Sequence, residues 1–149
     1  MTRSPIAEMT RSGEIPVADF VFFYGTLMTG FDRRHRAGID GKLTCVGRGS
    51  IEAALFDLGI YPAAVPAKGE LVWGELYAMT EPDQVLAALD DIEGYRPGDP
   101  DRSLYVRSQA RVTLTDGSLE AAWVYFYNAP LGQAERIISG DYLEHLKVR

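Results

Sequence analysis

Cysteine and histidine are scarce in this chain of 149 residues, which contains one Cys and two His. The single thiol, Cys45, excludes an internal disulfide framework, and its β-rich apolar surroundings predict a buried, unreactive side chain. Together with His35 and His145 it does not give the ligand spacing of a zinc site, so we expect no metal centre. Carboxylates or backbone dipoles are the remaining chemical resource if the protein is an enzyme.

Long apolar runs and excess positive charge are also missing. No stretch is long enough to span a bilayer, and the N-terminus lacks the apolar core of a secretory signal, so we expect a cytoplasmic protein without membrane contact. The 15 Lys and Arg residues are outnumbered by 21 Asp and Glu, which gives a net charge of −6. Nucleic acid is not an expected partner, because neutralising phosphates requires clustered basic residues.

The composition otherwise describes one globular domain, since 46% of the residues are hydrophobic. Residues 1–18 are polar, contain Pro5, Gly13 and Pro16, and show no helix or strand period, which predicts a flexible leader. We therefore expect a single domain over residues 19–149. The one basic cluster, Arg33 to Arg36, is interpreted as a solvated helix face; the alternative is the border of an anionic substrate's entrance.

Strand patterns dominate this domain. A hairpin is indicated by Asp116-Gly117 between two β-rich runs, and Gly74 inside another run indicates a bulge or a close backbone approach. The predicted strands are Phe20–Tyr24, Leu43–Val46, Ser50–Phe56, Leu71–Met79, Leu104–Leu114 and Leu119–Tyr127. Both faces of the last run are apolar or aromatic, which is typical of a strand inside a packed sheet or closed barrel.

Two helices complete the prediction. The first runs from Thr80, as N-cap, to about Glu93, with Gly94 just beyond its end, and a short second helix is expected near residues 141–147. Mostly antiparallel strands interrupted by a helix predict an α+β fold, for which a small barrel with a helix against one side is one arrangement.

The helix ends in a carboxylate at an unusual place. Projection at about 100° per residue puts Glu93 inside the apolar stripe, whereas Asp90 borders the stripe and Asp91 faces away. Burial and the negative end of the helix dipole both disfavour the ionised form, so we expect the pKa of Glu93 to be raised towards the range of a general acid–base. The alternative is that Glu93 reaches water or pairs with a nearby arginine, namely Arg96, Arg102 or Arg107.

A glycine-containing turn follows the first strand. The backbone N–H groups of Tyr24, Gly25, Thr26 and Leu27 can converge into an anion-binding nest. The segment lacks Gly-Lys-Ser/Thr and the spacing of a dinucleotide fingerprint, so neither a P-loop nor a dinucleotide site is expected.

These features together resemble the γ-glutamylcyclotransferase family, including its γ-glutamylamine cyclotransferase and AIG2-like branches. Three ordered segments match that family's motifs over about residues 20 to 128: Phe22 to Leu27; Val72 to Tyr77, preceded by Tyr61-Pro62-Ala63; and Leu89 to Tyr95, followed by Tyr105-Val106-Arg107. The chain departs from the family in its longer leader and in a polar loop from Arg96 to Ser103, which leaves substrate choice open.

The resemblance implies a small mixed, mostly antiparallel β-barrel with flanking helices. It also implies a cofactor-free reaction that releases 5-oxoproline from a small γ-glutamyl substrate. In this comparison Glu93 is the general base and acid, and the loop from Tyr24 to Leu27 binds the γ-glutamyl group. Tyr125 matches a late-strand tyrosine that lines the pocket in some members, although its sequence context favours a core aromatic.

Two other functions remain open from the residues. One is a non-catalytic module that binds a small amino-acid-like ligand, with Glu93 paired to the ligand's amine. The other is a hydrolase that uses Glu93 together with Asp90 or Glu75. A Ser-His-Asp triad has no support, because no serine lies in a nucleophile-elbow motif.

Overall fold

The computed structural model describes residues 19–28 and 38–147. The predicted leader, residues 1–18, and the basic cluster from Arg33 to Arg36 lie outside these ranges. The described strands are β1 (Phe20–Phe23), β2 (Leu43–Asp57), β3 (Pro62–Met79), β4 (Tyr105–Leu114), β5 (Leu119–Tyr127) and β6 (Glu135–Ile137). The α-helices are α1 (Pro82–Glu93) and α2 (Tyr142–Lys147), and short 3-10 turns cover Asp40–Lys42 and Pro100–Arg102.

Five strands close into a barrel. Their order is β3-β1-β5-β4-β2, and β2 pairs again with β3, while β6 adds to the outer part of β2. Among the described strands, β1 and β5 run parallel and the other pairs are antiparallel. The predicted α+β fold, a small mixed and mostly antiparallel barrel with flanking helices, is confirmed.

Strands β2 and β3 are longer than predicted. The segments Leu43–Val46 and Ser50–Phe56 join into one strand, because β2 accommodates a bulge between Cys45 and Gly47 without leaving the sheet. Strand β3 begins at Pro62 rather than Leu71, and residues 67–70 are left without partners on β2, since Glu52 pairs with Leu71 and Ala53 with Pro66. Strand-breaking residue types at this bulge hid the first half of β3 from sequence analysis.

The prediction for Cys45 is wrong, because its side chain is exposed. This end of β2 pairs with β3, whereas β4 joins β2 at Gly49 and Ser50, further along the strand. The early residues of β2 therefore extend past the body of the barrel, and the apolar sequence around Cys45 does not bury it.

The β4–β5 hairpin forms as predicted. Gly117 adopts a φ of 89°, and the Asp116 carboxylate accepts hydrogen bonds from the Ser118 N–H at 2.9 Å and the Ser118 hydroxyl at 2.6 Å. These local bonds fix the turn that Asp-Gly predicts.

Helix α1 covers one outer face of β5. Val85, Leu86 and Leu89 are buried, and the Tyr125 side chain of β5 reaches back to the helix. The predicted N-cap, Thr80, is wrong: its N–H donates to the Lys42 carbonyl at 2.8 Å, and Glu81, with a φ of 55°, occupies the cap position. Gly94 ends the helix in the left-handed conformation, as predicted.

Helix α2 confirms the predicted C-terminal helix. The His145 Nε2 atom lies 2.8 Å from Asp57 Oδ2, which ties the helix to the end of β2. No helix in the described part of the chain has the length and apolar character needed to cross a membrane.

Gly74 marks a close approach between two backbones, as predicted. A Cβ atom at this position would collide with the Phe23 carbonyl oxygen and lie 2.8 Å from the Phe22 ring. Both obstacles belong to β1, which pairs with β3 here, so the barrel cannot move one strand away without breaking the pairing.

We therefore expect Gly74→Ala to lower the free energy of unfolding by roughly 3 kcal/mol, because the new methyl group forces β1 away from β3. Urea denaturation followed by circular dichroism measures this change. Gly98→Ala is the matched control, since a Cβ at Gly98 meets nothing within 4 Å. Equal stability of the two variants would contradict the assigned packing.

Candidate active site

The loop from Tyr24 to Leu27 follows β1 at one end of the barrel. Its turn is closed by the Met28 N–H, which donates to the Gly25 carbonyl at 3.0 Å. A Cβ at Gly25 would lie 2.7 Å from Pro62 Cγ, so glycine allows the loop to pack directly against the start of β3.

A pocket of about 600 Å³, its open mouth included, lies between this loop and the end of α1. The structure brings all five predicted site residues, Glu93 and Tyr24 to Leu27, to its wall. The remaining lining residues are Phe22, Phe23, Tyr61, Pro62, Ile92, Leu104, Tyr105 and Tyr125. Among the described residues that line the pocket, Glu93 is the one that carries a carboxyl group.

Tyr24 forms part of the inner wall rather than the opening. Its hydroxyl donates to the Tyr125 carbonyl at 2.6 Å and accepts from the Ala64 N–H at 3.3 Å, and thereby links three strand regions. Burial, followed by the neighbouring Tyr105 and Glu93, raises the pKa of Tyr24 well above its ordinary value of 10.0. The phenol is therefore neutral throughout the physiological pH range.

Tyr125 lines the pocket and is also buried in the core. Its hydroxyl donates to Asp90 Oδ1 at 2.5 Å, and burial and this hydrogen bond raise the pKa of Tyr125. The sequence context of Tyr125 favours a plain core aromatic, and the structure adds the pocket contact. Two neutral phenols thus stand beside Glu93.

The expectation that Glu93 is the one acid of α1 aimed at the interior is wrong. Asp90 is 9% exposed, whereas Glu93 is half-buried. The Arg107 guanidinium donates two hydrogen bonds to the Asp90 carboxylate, from Nε to Oδ1 at 2.8 Å and from Nη2 to Oδ2 at 3.1 Å. Burial lowers the pKa of Arg107, but the hydrogen bond and charge of Asp90 outweigh it and raise that pKa overall.

These contacts bear on the alternatives for Glu93. Two of its three predicted arginine partners are held by other acids: Arg107 by Asp90, and Arg102 at 3.8 Å from Asp99. The two-carboxylate hydrolase also loses support. Asp90 is bound to Arg107 and Tyr125, and Glu75 accepts a hydrogen bond from Tyr77 at 2.8 Å; neither acid lines the pocket.

The polar loop after Glu93 is held by its own side chains. The Ser103 hydroxyl is buried, accepts from the Arg96 N–H at 2.8 Å and donates to the Asp99 carbonyl at 3.1 Å. Leu104, which follows it, reaches the pocket and is 50% exposed. The residue that follows the loop therefore forms part of the pocket wall, whereas Arg96 to Ser103 do not line it.

One group of metal-ligand side chains occurs in the described residues. Atoms of Asp57, Glu135 and His145 lie within 4.8 Å of one another. None of the three lines the pocket. The polar groups of the described pocket wall are Glu93, the Thr26 hydroxyl, the tyrosines and the loop backbone.

Comparison with known proteins places this geometry in a family. The model of the family described as "Gamma-glutamyl cyclotransferase, AIG2-like" matches residues 21–144. The chain belongs to this family. The Gamma-glutamylcyclotransferase family protein YtfP of Escherichia coli (strain K12) is 34% identical over 131 residues, which are 85% of this chain and 98% of that protein.

Solved structures of γ-glutamyl cyclotransferase relatives share the barrel. The solution structure of Escherichia coli YtfP superposes with a TM-score of 0.58 at 29% identity and covers 85% of this chain and 97% of its own. An AIG2-like protein of Mus musculus gives 0.59 at 26% identity, over 77% of this chain and 82% of its own.

The pairing of Asp90 with Arg107 was not predicted from the sequence. The signals were present but ambiguous: Asp90 lies at the border of the predicted apolar stripe, and Arg107 ends the segment Tyr105-Val106-Arg107, whose sequence resembles a motif of γ-glutamylcyclotransferases. The pairing between them depends on how α1 lies across β4 and β5, which no local pattern encodes.

The raised pKa values of the Tyr24 and Tyr125 phenols predict an alkaline limit to stability. Both pKa values are raised in the folded chain and ordinary, near 10, in the unfolded chain. The stabilisation is therefore complete below about pH 10 and is lost as the pH rises beyond it. Ultraviolet titration of tyrosinate is expected to show a late component that appears with unfolding.

Tyr24→Phe and Tyr125→Phe are each expected to remove one phenol from that late component. Loss of absorbance from the tyrosines that ionise while the chain is still folded would contradict the assignment.

Proposed function

We propose that this protein is a γ-glutamyl cyclotransferase that releases 5-oxoproline and a free amine or amino acid from a γ-glutamyl compound. The observation that carries the proposal is that Glu93, the carboxylic residue of the described pocket wall, faces the same cavity as the loop from Tyr24 to Leu27. Membership of the family supplies the reaction class, and the pocket supplies groups suited to it.

The reaction moves two protons from the attacking nitrogen to the leaving nitrogen. The substrate's α-ammonium group gives the first proton to Glu93, and the resulting amine attacks the γ-carbonyl carbon. A ring C–N bond forms, and the bond to the leaving nitrogen breaks as that nitrogen takes the proton back from Glu93. The ring nitrogen then releases its second proton to the departing amine, which leaves as an ammonium ion. The products contain all the atoms of the substrate, so neither water nor a cofactor is consumed.

Ring closure is favoured by holding the substrate folded. Well-oriented intramolecular reactions reach effective molarities of roughly 10⁵ M or more, so a pocket that fixes the glutamyl chain supplies much of the acceleration. The buried side chains of Tyr24, Tyr105 and Tyr125 line the pocket and are suited to holding the glutamyl chain in a folded conformation. No covalent intermediate with the protein is needed.

The remaining charge develops on the γ-carbonyl oxygen. The proposal assigns to the backbone N–H groups of the loop from Tyr24 to Leu27 the stabilisation of this oxyanion or of the substrate's α-carboxylate. The neutral phenols add no negative charge to the pocket, because the pKa values of Tyr24 and Tyr125 are raised. In this mechanism Glu93 holds the proton when the oxyanion develops, so Glu93 adds no negative charge at that stage either.

We expect Glu93→Gln to lower kcat by about 10² to 10⁴-fold, the usual contribution of a general acid–base. The amide preserves size but accepts no proton at neutral pH. Mass spectrometry of 5-oxoproline, after incubation with γ-glutamyl amino acids, γ-glutamyl amines and γ-glutamyl-ε-lysine, measures the effect.

Asp91→Asn is the matched control, since it makes the same chemical change on the exposed side of α1. It is expected to retain wild-type activity. A folded Glu93→Gln variant with wild-type activity would exclude Glu93 as the proton carrier. Binding of 5-oxoproline by a wild-type protein that turns over no member of the panel would instead favour a non-catalytic binding module.

A further inference from the structure

Asp90 lies one helical turn before Glu93, on the last turns of α1. Its carboxylate is the meeting point of two strands: Arg107 of β4 and Tyr125 of β5 are direct cross-strand partners, and both bond to Asp90. Residues three apart on a helix lie on adjacent parts of its surface. A displacement of Asp90 against the barrel would therefore displace Glu93 as well.

Arg107 holds the same segment at a second point. Its guanidinium lies 5.5 Å from the Tyr95 ring centroid and 4.8 Å from the Trp123 ring centroid. Tyr95 follows the helix end, and its N–H donates to the Asp90 carbonyl at 2.9 Å. Arg107 thus contacts the chain on both sides of Glu93: it binds Asp90, three residues before Glu93, and lies over the ring of Tyr95, two residues after it.

Net stability is a poor explanation for this cluster. A buried ion pair is often matched or exceeded in stability by apolar side chains of similar volume, because desolvation offsets the attraction. A bidentate arginine–carboxylate pair does, however, fix the relative orientation of its two elements. Neither Asp90 nor Arg107 lines the pocket, so neither is placed to touch the substrate.

Resting on the proposed function, we propose that Asp90 and Arg107 are positioning residues: their bidentate pair, braced by Tyr125, holds Glu93 at the pocket and neutralises the acid next to it. With Arg107 in place, the negative charge one turn from Glu93 is compensated. The titratable residues that line the pocket together with Glu93 are Tyr24, Tyr61, Tyr105 and Tyr125. Its titratable neighbours in the chain, besides Asp90, are Asp91, Tyr95 and Arg96.

The test follows the Glu93 carboxyl carbon by NMR, with the resonance assigned by its absence in Glu93→Gln. Arg107→Gln leaves the Asp90 charge uncompensated, so the Glu93 titration midpoint is expected to move to higher pH by roughly one unit. Asp90→Asn leaves the Arg107 charge in excess, and the midpoint is expected to move to lower pH. The double variant is expected to return near the wild-type value.

Arg48→Gln is the matched control. Arg48 also pairs with an acid at 2.8 Å, Asp141, and also lies over a ring, that of Trp73 at 5.0 Å, but it does not line the pocket. It is expected to leave the Glu93 titration and kcat unchanged. A folded Arg107→Gln variant with an unchanged Glu93 midpoint would overturn the proposal.

Arg107→Lys separates geometry from charge and replaces Arg107→Gln if that variant does not fold. Lysine keeps the positive charge but cannot form both hydrogen bonds to the Asp90 carboxylate, so it fixes the position of α1 less precisely. We therefore expect kcat to fall by about 10²-fold, with little change in KM or in the Glu93 titration midpoint. Unchanged kcat would overturn the positioning role. If the wild-type protein turns over no γ-glutamyl substrate, the proposed function fails, while the NMR titration still decides whether the pair acts on Glu93.

Discussion

An acid buried between a helix and a barrel needs a partner, because an unpaired charge there costs several kcal/mol. In this protein the acid is Asp90, and Arg107 supplies the partner through two hydrogen bonds. The pair joins α1 to β4, and the Tyr125 hydroxyl adds β5 to the same junction. The position of Glu93, three residues further along α1, follows from this junction.

The tyrosines connect that junction to the opposite wall of the pocket. The Tyr125 hydroxyl donates a hydrogen bond to Asp90, and the Tyr125 carbonyl accepts one from the Tyr24 hydroxyl. Tyr24 is the first residue of the loop after β1. Tyr105 in turn donates to the Pro62 carbonyl at 2.9 Å, at the start of β3. Asp90, three residues before Glu93, and the loop proposed to bind the γ-glutamyl group are therefore linked by hydrogen bonds through strands that are distant in sequence.

Much of this arrangement was accessible from local patterns. The β4–β5 hairpin, the end of α1 at Gly94 and the close approach at Gly74 follow from residue types whose backbone requirements are specific. The five predicted site residues come together because the ordered motifs carry the family's fold.

The first half of β3 was missed because Pro66 and Gly69 surround a bulge that long-range pairing with β2 supports. Asp90 was assigned to the border of a stripe, and only the crossing of α1 over β4 reveals that it is buried. The exposed side chain of Cys45 likewise depends on where β4 ends along β2.

The central claim is that Glu93 exchanges a proton with the glutamyl nitrogen in this pocket. A crystal structure of the wild-type protein with 5-oxoproline tests it directly, because that product is common to every γ-glutamyl substrate. The account predicts the ring N–H within hydrogen-bond distance of the Glu93 carboxylate, about 2.6 to 3.2 Å, with the rest of the ring against the loop from Tyr24 to Leu27. Product bound outside the pocket, or with its nitrogen turned away from Glu93, would contradict it.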